Sequence, residues 1–168
     1  PDIRDRPEAI ALGRAEGRIE FRHVYFRYDE TPTRYDIDLS IAPGETVALV
    51  GPSGAGKTTI TRLIPRFYEP QEGEIRVDGA DIRRIRLDSL RDNIGIVMQD
   101  DYLFSDTLFN NIAYGRPEAS KEEVLEAARK GNVDEFAGEM QDGYDTEIGQ
   151  RGTKVSEGQR QRISIARA

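Results

Sequence analysis

Cysteine is absent from these 168 residues, and histidine occurs once. The first absence excludes disulfides and thiolate metal sites; it agrees with a reducing compartment without demanding one. No apolar run approaches the ~20 residues that a helix needs to cross a bilayer. The N-terminal stretch PDIRDRPEAIALGRAEG is rich in charge and has no apolar segment of the kind a secretory signal carries. Positive charge is in deficit: 24 Lys and Arg stand against 31 Asp and Glu, a formal net charge of −7. That balance argues against nucleic acid as a main partner, because phosphate contacts need a basic face. The cluster Arg83, Arg84, Arg86 and Arg91 is a local exception and reads as a solvated face. Internal repeats and low-complexity segments are missing too.

Hydrophobic residues make up 37% of the chain and charged residues 33%, which suits one domain or a little more, with a modest core. Residues 1–17 read as a linker continuing from something upstream. Arg18 to Tyr28, rich in β-branched and aromatic residues, reads as a strand, and Asp36 to Ile41 alternates like a half-buried one. TVALV, Thr46 to Val50, is a short continuous apolar run, as a strand buried on both faces would be. Glu74 to Gly79 looks like a strand entering a turn, and Asn93 to Gln99 like another buried strand. Helix-compatible residues run from Lys57 to Ile64, where Pro65 ends them. From about Thr107 the pattern turns helical. Ser120 with Glu123 spells a capping box ahead of an apolar stripe, and Gly131 is the stop.

Directly after TVALV comes GPSGAGKTT, which matches G-x-x-x-x-G-K-[ST] through Gly51, Gly56, Lys57 and Thr58. The residue types answer to a chemistry. Glycines let the backbone turn successive N–H groups inward onto phosphate oxygens, and the following helix starts at the same point. Lys57 reaches the β- and γ-phosphates, and the Thr58 hydroxyl is a ligand suited to Mg²⁺. The loop as a whole, Gly51, Ser53, Gly54, Ala55, Gly56, Lys57, Thr58 and Thr59, is therefore the candidate nucleotide site. Near the far end, VSEGQRQR offers a second helix start. Ser156 is its N-cap and Gln159 completes an S-x-x-Q box, which makes that start an anion site.

These motifs, taken together, resemble the nucleotide-binding domain of exporter-type ABC transporters. VSEGQRQRISIARA is similar to the family's LSGGQ signature segment and the helix behind it. VMQDDYLF, Val97 to Phe104, resembles the Q-loop, with Gln99 as its glutamine. YDTEIGQRG, Tyr144 to Gly152, resembles the exporter X-loop, and FRYDE puts Tyr28 where the family keeps an adenine-stacking aromatic. The match runs from about Gly17 to the end.

The resemblance implies an α/β fold: a P-loop NTPase core with an antiparallel β-subdomain over about 18–100, and a helical signature subdomain over about 101–168, incomplete at its C-terminus. It implies ATP and Mg²⁺ as ligands, with Gln99 beside Thr58 at the metal. It implies a second nucleotide-binding domain as head-to-tail partner, whose ATP would meet Ser156, Glu157, Gly158 and Gln159. Glu147 would face the transmembrane domains, and the parent protein would work at the cytoplasmic face of a membrane, the fragment itself being soluble. The family's Asp-Glu strand and its later histidine do not follow the signature helix in this sequence. No catalytic residue is therefore assigned, and hydrolysis is expected of the complete protein only. His23, in the first strand, reads as structural. A soluble ABC-type ATPase of DNA repair or chromosome maintenance is the alternative, disfavoured by the lack of a coiled-coil insertion; a non-hydrolysing nucleotide-binding fragment is another. Two positions depart from the family. Glu157 stands where a glycine is usual, and Arg34-Tyr35 replaces an apolar pair beneath the adenine.

Overall fold

The computed structural model describes residues 3–28, 35–98, 102–149 and 153–168. The chain divides into two compact units, Pro1–Ile94 and Gly95–Ala168.

The first unit is built on a four-stranded sheet in the order β2-β1-β3-β4. Its strands are β1 (Ile19–Phe26), β2 (Tyr35–Ile41), β3 (Glu72–Val77) and β4 (Ala80–Asp81), all paired antiparallel. In β1 the buried residues are Phe21, Val24 and Phe26. Phe21 and Val24 are three apart, and strict alternation would send them to opposite faces. A bulge at Arg22-His23 resolves the conflict: the register shifts there against both β2 and β3. His23 takes the left-handed backbone this needs, with φ +47°. Gly73 of β3 packs directly on the bulge. A Cβ at Gly73 would stand 2.2 Å from the His23 carbonyl oxygen and 2.5 Å from that of Arg22.

Helices α1 (Lys57–Leu63) and α2 (Leu87–Arg91) and a 3-10 turn at Ile82–Arg84 complete this unit. Leu63, Ile82, Ile85 and Leu90 join the sheet residues Phe21, Val24, Phe26, Ile75 and Val77 in one core. Arg66 is buried beside them, 1% exposed. A buried guanidinium is tolerable only when its donors are met. Nε donates to Glu69 Oε1 at 2.6 Å, Nη1 to the Ile82 and Ile85 carbonyls at 3.4 Å, and Nη2 to the Arg4 carbonyl at 3.0 Å.

The segment before β1 lies against this unit. Ile10 bridges Ile85 in parallel. The Asp78 carboxylate accepts from the N–H groups of Glu16, Gly17 and Arg18 at 2.7, 3.1 and 2.8 Å. The Asn93 amide ties down Ala15 and Gly13. In the arginine cluster, Arg84, Arg86 and Arg91 are exposed, while Arg83 is half-buried and pairs with Asp81 at 2.7 Å.

Two expected strands are not formed. Residues 46–50 and 93–98 carry no strand, and Val47, Val50, Ile96, Val97 and Met98 are exposed rather than buried. An apolar run becomes a buried strand only when neighbours pair with it on both edges. Among the described residues no strand pairs with either run.

The second unit is helical: α3 (Leu108–Ala113), α4 (Lys121–Lys130), α5 (Asp134–Ala137) and α6 (Glu157–Arg167), with a 3-10 turn at Gly143–Asp145. Its core gathers Leu103, Leu108, Ile112, Val124, Ala128, Val133, Phe136, Ile148, Val155 and Ile163. Helix α4 begins in the reciprocal capping box of Ser120 and Glu123 and ends at Gly131. Gly131 also gives room, since a Cβ there would lie 2.9 Å from Ala166 Cβ and from the Arg162 carbonyl. Asn111, 1% exposed, accepts from Phe104 N–H at 2.8 Å and donates to the Phe104 and Thr107 carbonyls. Arg167 closes this hub through Nε to the Asn111 carbonyl at 2.8 Å and Nη2 to Asn111 Oδ1 at 3.0 Å.

Candidate functional site

The loop before α1 is shaped by glycine. Gly54 and Gly56 take φ of +83° and +85°, and Gly56 opens α1 with no side-chain cap. The first N–H groups of the helix are thus left to a partner from outside it. Lys57 Nζ bends back across the loop and donates to the carbonyls of Gly51 and Pro52, each at 2.7 Å. An ammonium has three donors, so one remains for another acceptor.

Above this loop lies a pocket of about 320 Å³, lined by Tyr28, Ser53, Gly54, Ala55, Gly56, Lys57, Thr58, Thr59 and Arg62. Its size is at the lower end of small-molecule sites. Two cations line it and no carboxylate does, so a polyanion entering it meets no like charge among the lining residues. The Thr58 hydroxyl is on an exposed residue, while Thr59 is buried. Tyr28, half-buried, is held edge-on by Phe26 at 4.7 Å and Tyr68 at 5.0 Å between ring centres. The neighbouring aromatic Tyr25 is engaged elsewhere, its hydroxyl donating to Asp36 Oδ2 at 2.8 Å.

The structure thus brings Tyr28 together with the loop residues Ser53 to Thr59. Gly51 does not line the pocket but supplies a carbonyl to Lys57. Gln99 lies outside the described residues, as does Arg34, and Gln150 to Gly152 of the X-loop do as well. Arg62 went unnoticed in the sequence. The signal was there: it stands four residues after Thr58, on the same side of α1.

The second helix start belongs to the other unit. Ser156 Oγ accepts from Gln159 N–H at 3.2 Å, and Gln159 Oε1 accepts from Ser156 N–H at 2.8 Å. Ser156, Glu157 and Gly158 are exposed and Gln159 is half-buried. Behind them Val155 is buried, and Ile163 anchors α6 in the core. Glu147 is exposed, in a short antiparallel bridge with Thr107. Leu108 N–H to the Thr146 carbonyl at 3.0 Å, and Ile148 N–H to the Asp106 carbonyl at 3.2 Å, hold that segment beside the start of α3.

Comparison with known proteins places this geometry. The sequence profile of the ABC transporter family matches residues 35–168. The chain is 55% identical over 168 residues to an ATP-dependent lipid A-core flippase of Syntrophus aciditrophicus (strain SB), covering all of this chain and 28% of that protein. It is 52% identical over 168 residues to an uncharacterized ABC transporter ATP-binding protein, YwjA, of Bacillus subtilis (strain 168), covering 99% of this chain and 29% of the relative. The chain thus spans less than a third of the length of the curated relatives it matches. Among solved structures, a bacterial Atm1-family ABC exporter with ATP bound superposes with a TM-score of 0.93 at 46% identity, covering 99% of this chain and 29% of that one. The fold is that of an ABC ATPase, and the chain belongs to the ABC transporter family.

Proposed function

We propose that this chain is the ATP-binding part of an ABC exporter, in which hydrolysis by the complete protein powers movement of a substrate across a membrane. The observation that carries the reading is the pocket itself: a glycine-shaped loop, two cations and an aromatic ring, with no carboxylate among the lining residues. In this reading the N–H groups of Ser53 to Thr59 and the Lys57 ammonium hold the phosphates, and Tyr28 stacks on the adenine. The Thr58 hydroxyl, with Gln99, would hold Mg²⁺, which would supply charge neutralisation for the phosphates. Ser156, Glu157, Gly158 and Gln159 face the ATP of a second nucleotide-binding domain in a head-to-tail pair. Glu147 meets the transmembrane domains, and the parent works at the cytoplasmic face of a membrane. The names of the relatives, a flippase and an ABC exporter, support transport over a role in DNA repair.

Calorimetric titration of the chain with Mg·ATP, with Lys57→Ala alongside, tests this. Saturable binding that the variant loses is the expected result. Equal binding by the variant, or none by the well-folded chain, would refute it. Removing Mg²⁺ with EDTA is expected to weaken binding, and an affinity indifferent to the metal would remove Thr58 from that role.

A further inference from the structure

On the outer side of the β1–β2 pair, the sole histidine of the chain meets two carboxylates. Ligand atoms of His23, Asp36 and Asp38 all lie within 4.8 Å of one another, and all three residues are exposed. The bulge makes this meeting possible. Asp36 and Asp38 are two apart on β2 and share a face. Phe21 pairs with Leu39 and Val24 with Ile37, so the two bulged residues of β1 stand opposite Asp38 alone. His23 Nδ1 then comes to 3.2 Å from Asp38 Oδ2. Two ligands of a tetrahedral zinc ion, each about 2.1 Å from it, are about 3.4 Å apart, so this pair is already spaced for a shared ion. Asp36 offers the third ligand atom, within 4.8 Å of the other two.

The carboxylates are also oriented. Asp38 Oδ1 accepts from the His23 N–H at 2.9 Å, and Asp36 Oδ2 accepts from the Tyr25 hydroxyl at 2.8 Å. Each carboxylate thus has one oxygen anchored by the protein and the other available. Anchoring of this kind is what outer groups do for metal ligands. None of these residues lines the nucleotide pocket.

We propose that His23, Asp36 and Asp38 form a surface site for a divalent cation of the zinc class, with water completing its coordination and Tyr25 as a positioning residue. One imidazole with two carboxylates suits Zn²⁺, Co²⁺ or Ni²⁺; Mg²⁺ prefers oxygen ligands alone. The site is independent of the nucleotide reading and stands or falls without it.

The test uses the chain without a polyhistidine tag and free of nucleotide. Zn²⁺ is titrated by calorimetry and Co²⁺ by its visible absorption. One saturable equivalent is expected, with cobalt bands that appear on binding and vanish on adding Zn²⁺ but not millimolar Mg²⁺. His23→Asn keeps a residue that accepts left-handed backbone, so the bulge survives while the imidazole is lost. That variant is expected to lose saturable binding at an unchanged melting temperature, and Tyr25→Phe to bind about tenfold more weakly. Binding by His23→Asn equal to that of the parent chain, or displacement of cobalt by Mg²⁺, or no saturable uptake at all, would each overturn the proposal and leave an ordinary His–Asp pair.

Discussion

Ser156 and Gln159 hold each other's backbone: the serine hydroxyl takes the Gln159 N–H, and the glutamine carbonyl takes the Ser156 N–H. The start of α6 is therefore closed on itself while Glu157 and Gly158 face outward. Ser156→Ala removes one of the two bonds and is expected to cost about 1 kcal/mol in chemical denaturation followed by circular dichroism. Ser156→Asp, which preserves an N-cap acceptor, is expected to restore most of that loss.

Glu157 carries a second prediction about the same helix. An acid in the first turn favours the helix dipole, yet it also sets negative charge where a partner's γ-phosphate would approach. Glu157→Gly is expected to strengthen ATP-dependent pairing of two copies, read by sedimentation velocity with and without nucleotide. No change in pairing would remove Glu157 from that role.

Gly73 leaves no room for a side chain. Its φ of +78° is strained for any side chain, and a Cβ would press on two backbone carbonyls that have no way to retreat. Gly73→Ala is expected to destabilise the first unit by about 2–4 kcal/mol, seen as an earlier urea midpoint. The equivalent change at Gly54, whose Cβ would meet nothing within 4 Å, is expected to cost about half as much or less.

Asn111 is the matching point in the second unit. Asn111→Ala would remove the acceptor of the Phe104 N–H and one acceptor of Arg167. A loss of about 1–2 kcal/mol is expected, because half-buried donors lose an acceptor that water replaces only in part.

The Asp81–Arg83 pair predicts a pH dependence. Burial pushes the Asp81 carboxyl up, but the Arg83 guanidinium and N–H outweigh it and hold it below its ordinary value. A carboxyl depressed in the folded state adds stability above its unfolded value and loses it as pH falls through the folded one. The stability difference between the parent chain and Asp81→Asn is thus expected to be constant above about pH 5 and to shrink as pH drops below about 4. A difference that grows on acidification would contradict this.

The elements legible in the sequence are those whose cause is local. Both capping boxes, at Ser120 and Ser156, were read from residues three apart, because the bonds they make are three apart. The start of α1 at Lys57 followed from the loop motif in the same way. What stayed hidden depends on partners distant in the chain. TVALV was read as a buried strand from its composition, and composition does not state whether a neighbour pairs with it. Only Glu69, three residues on, is a local partner for Arg66, and it does not mark the burial; the other acceptors are carbonyls at Arg4, Ile82 and Ile85 that any residue would carry. The bulge at His23 was masked too. Phe21 and Val24 look like a strand slightly out of phase, and only the packing of Gly73 explains the slip.

The two bonds from Lys57 to the Gly51 and Pro52 carbonyls have one more consequence. Two of the three donors of the ammonium are used by its own loop, and the third remains for an arriving anion. The loop carbonyls thus hold the lysine in place ahead of any ligand, so that in the proposed nucleotide site little side-chain freedom is left to lose on binding.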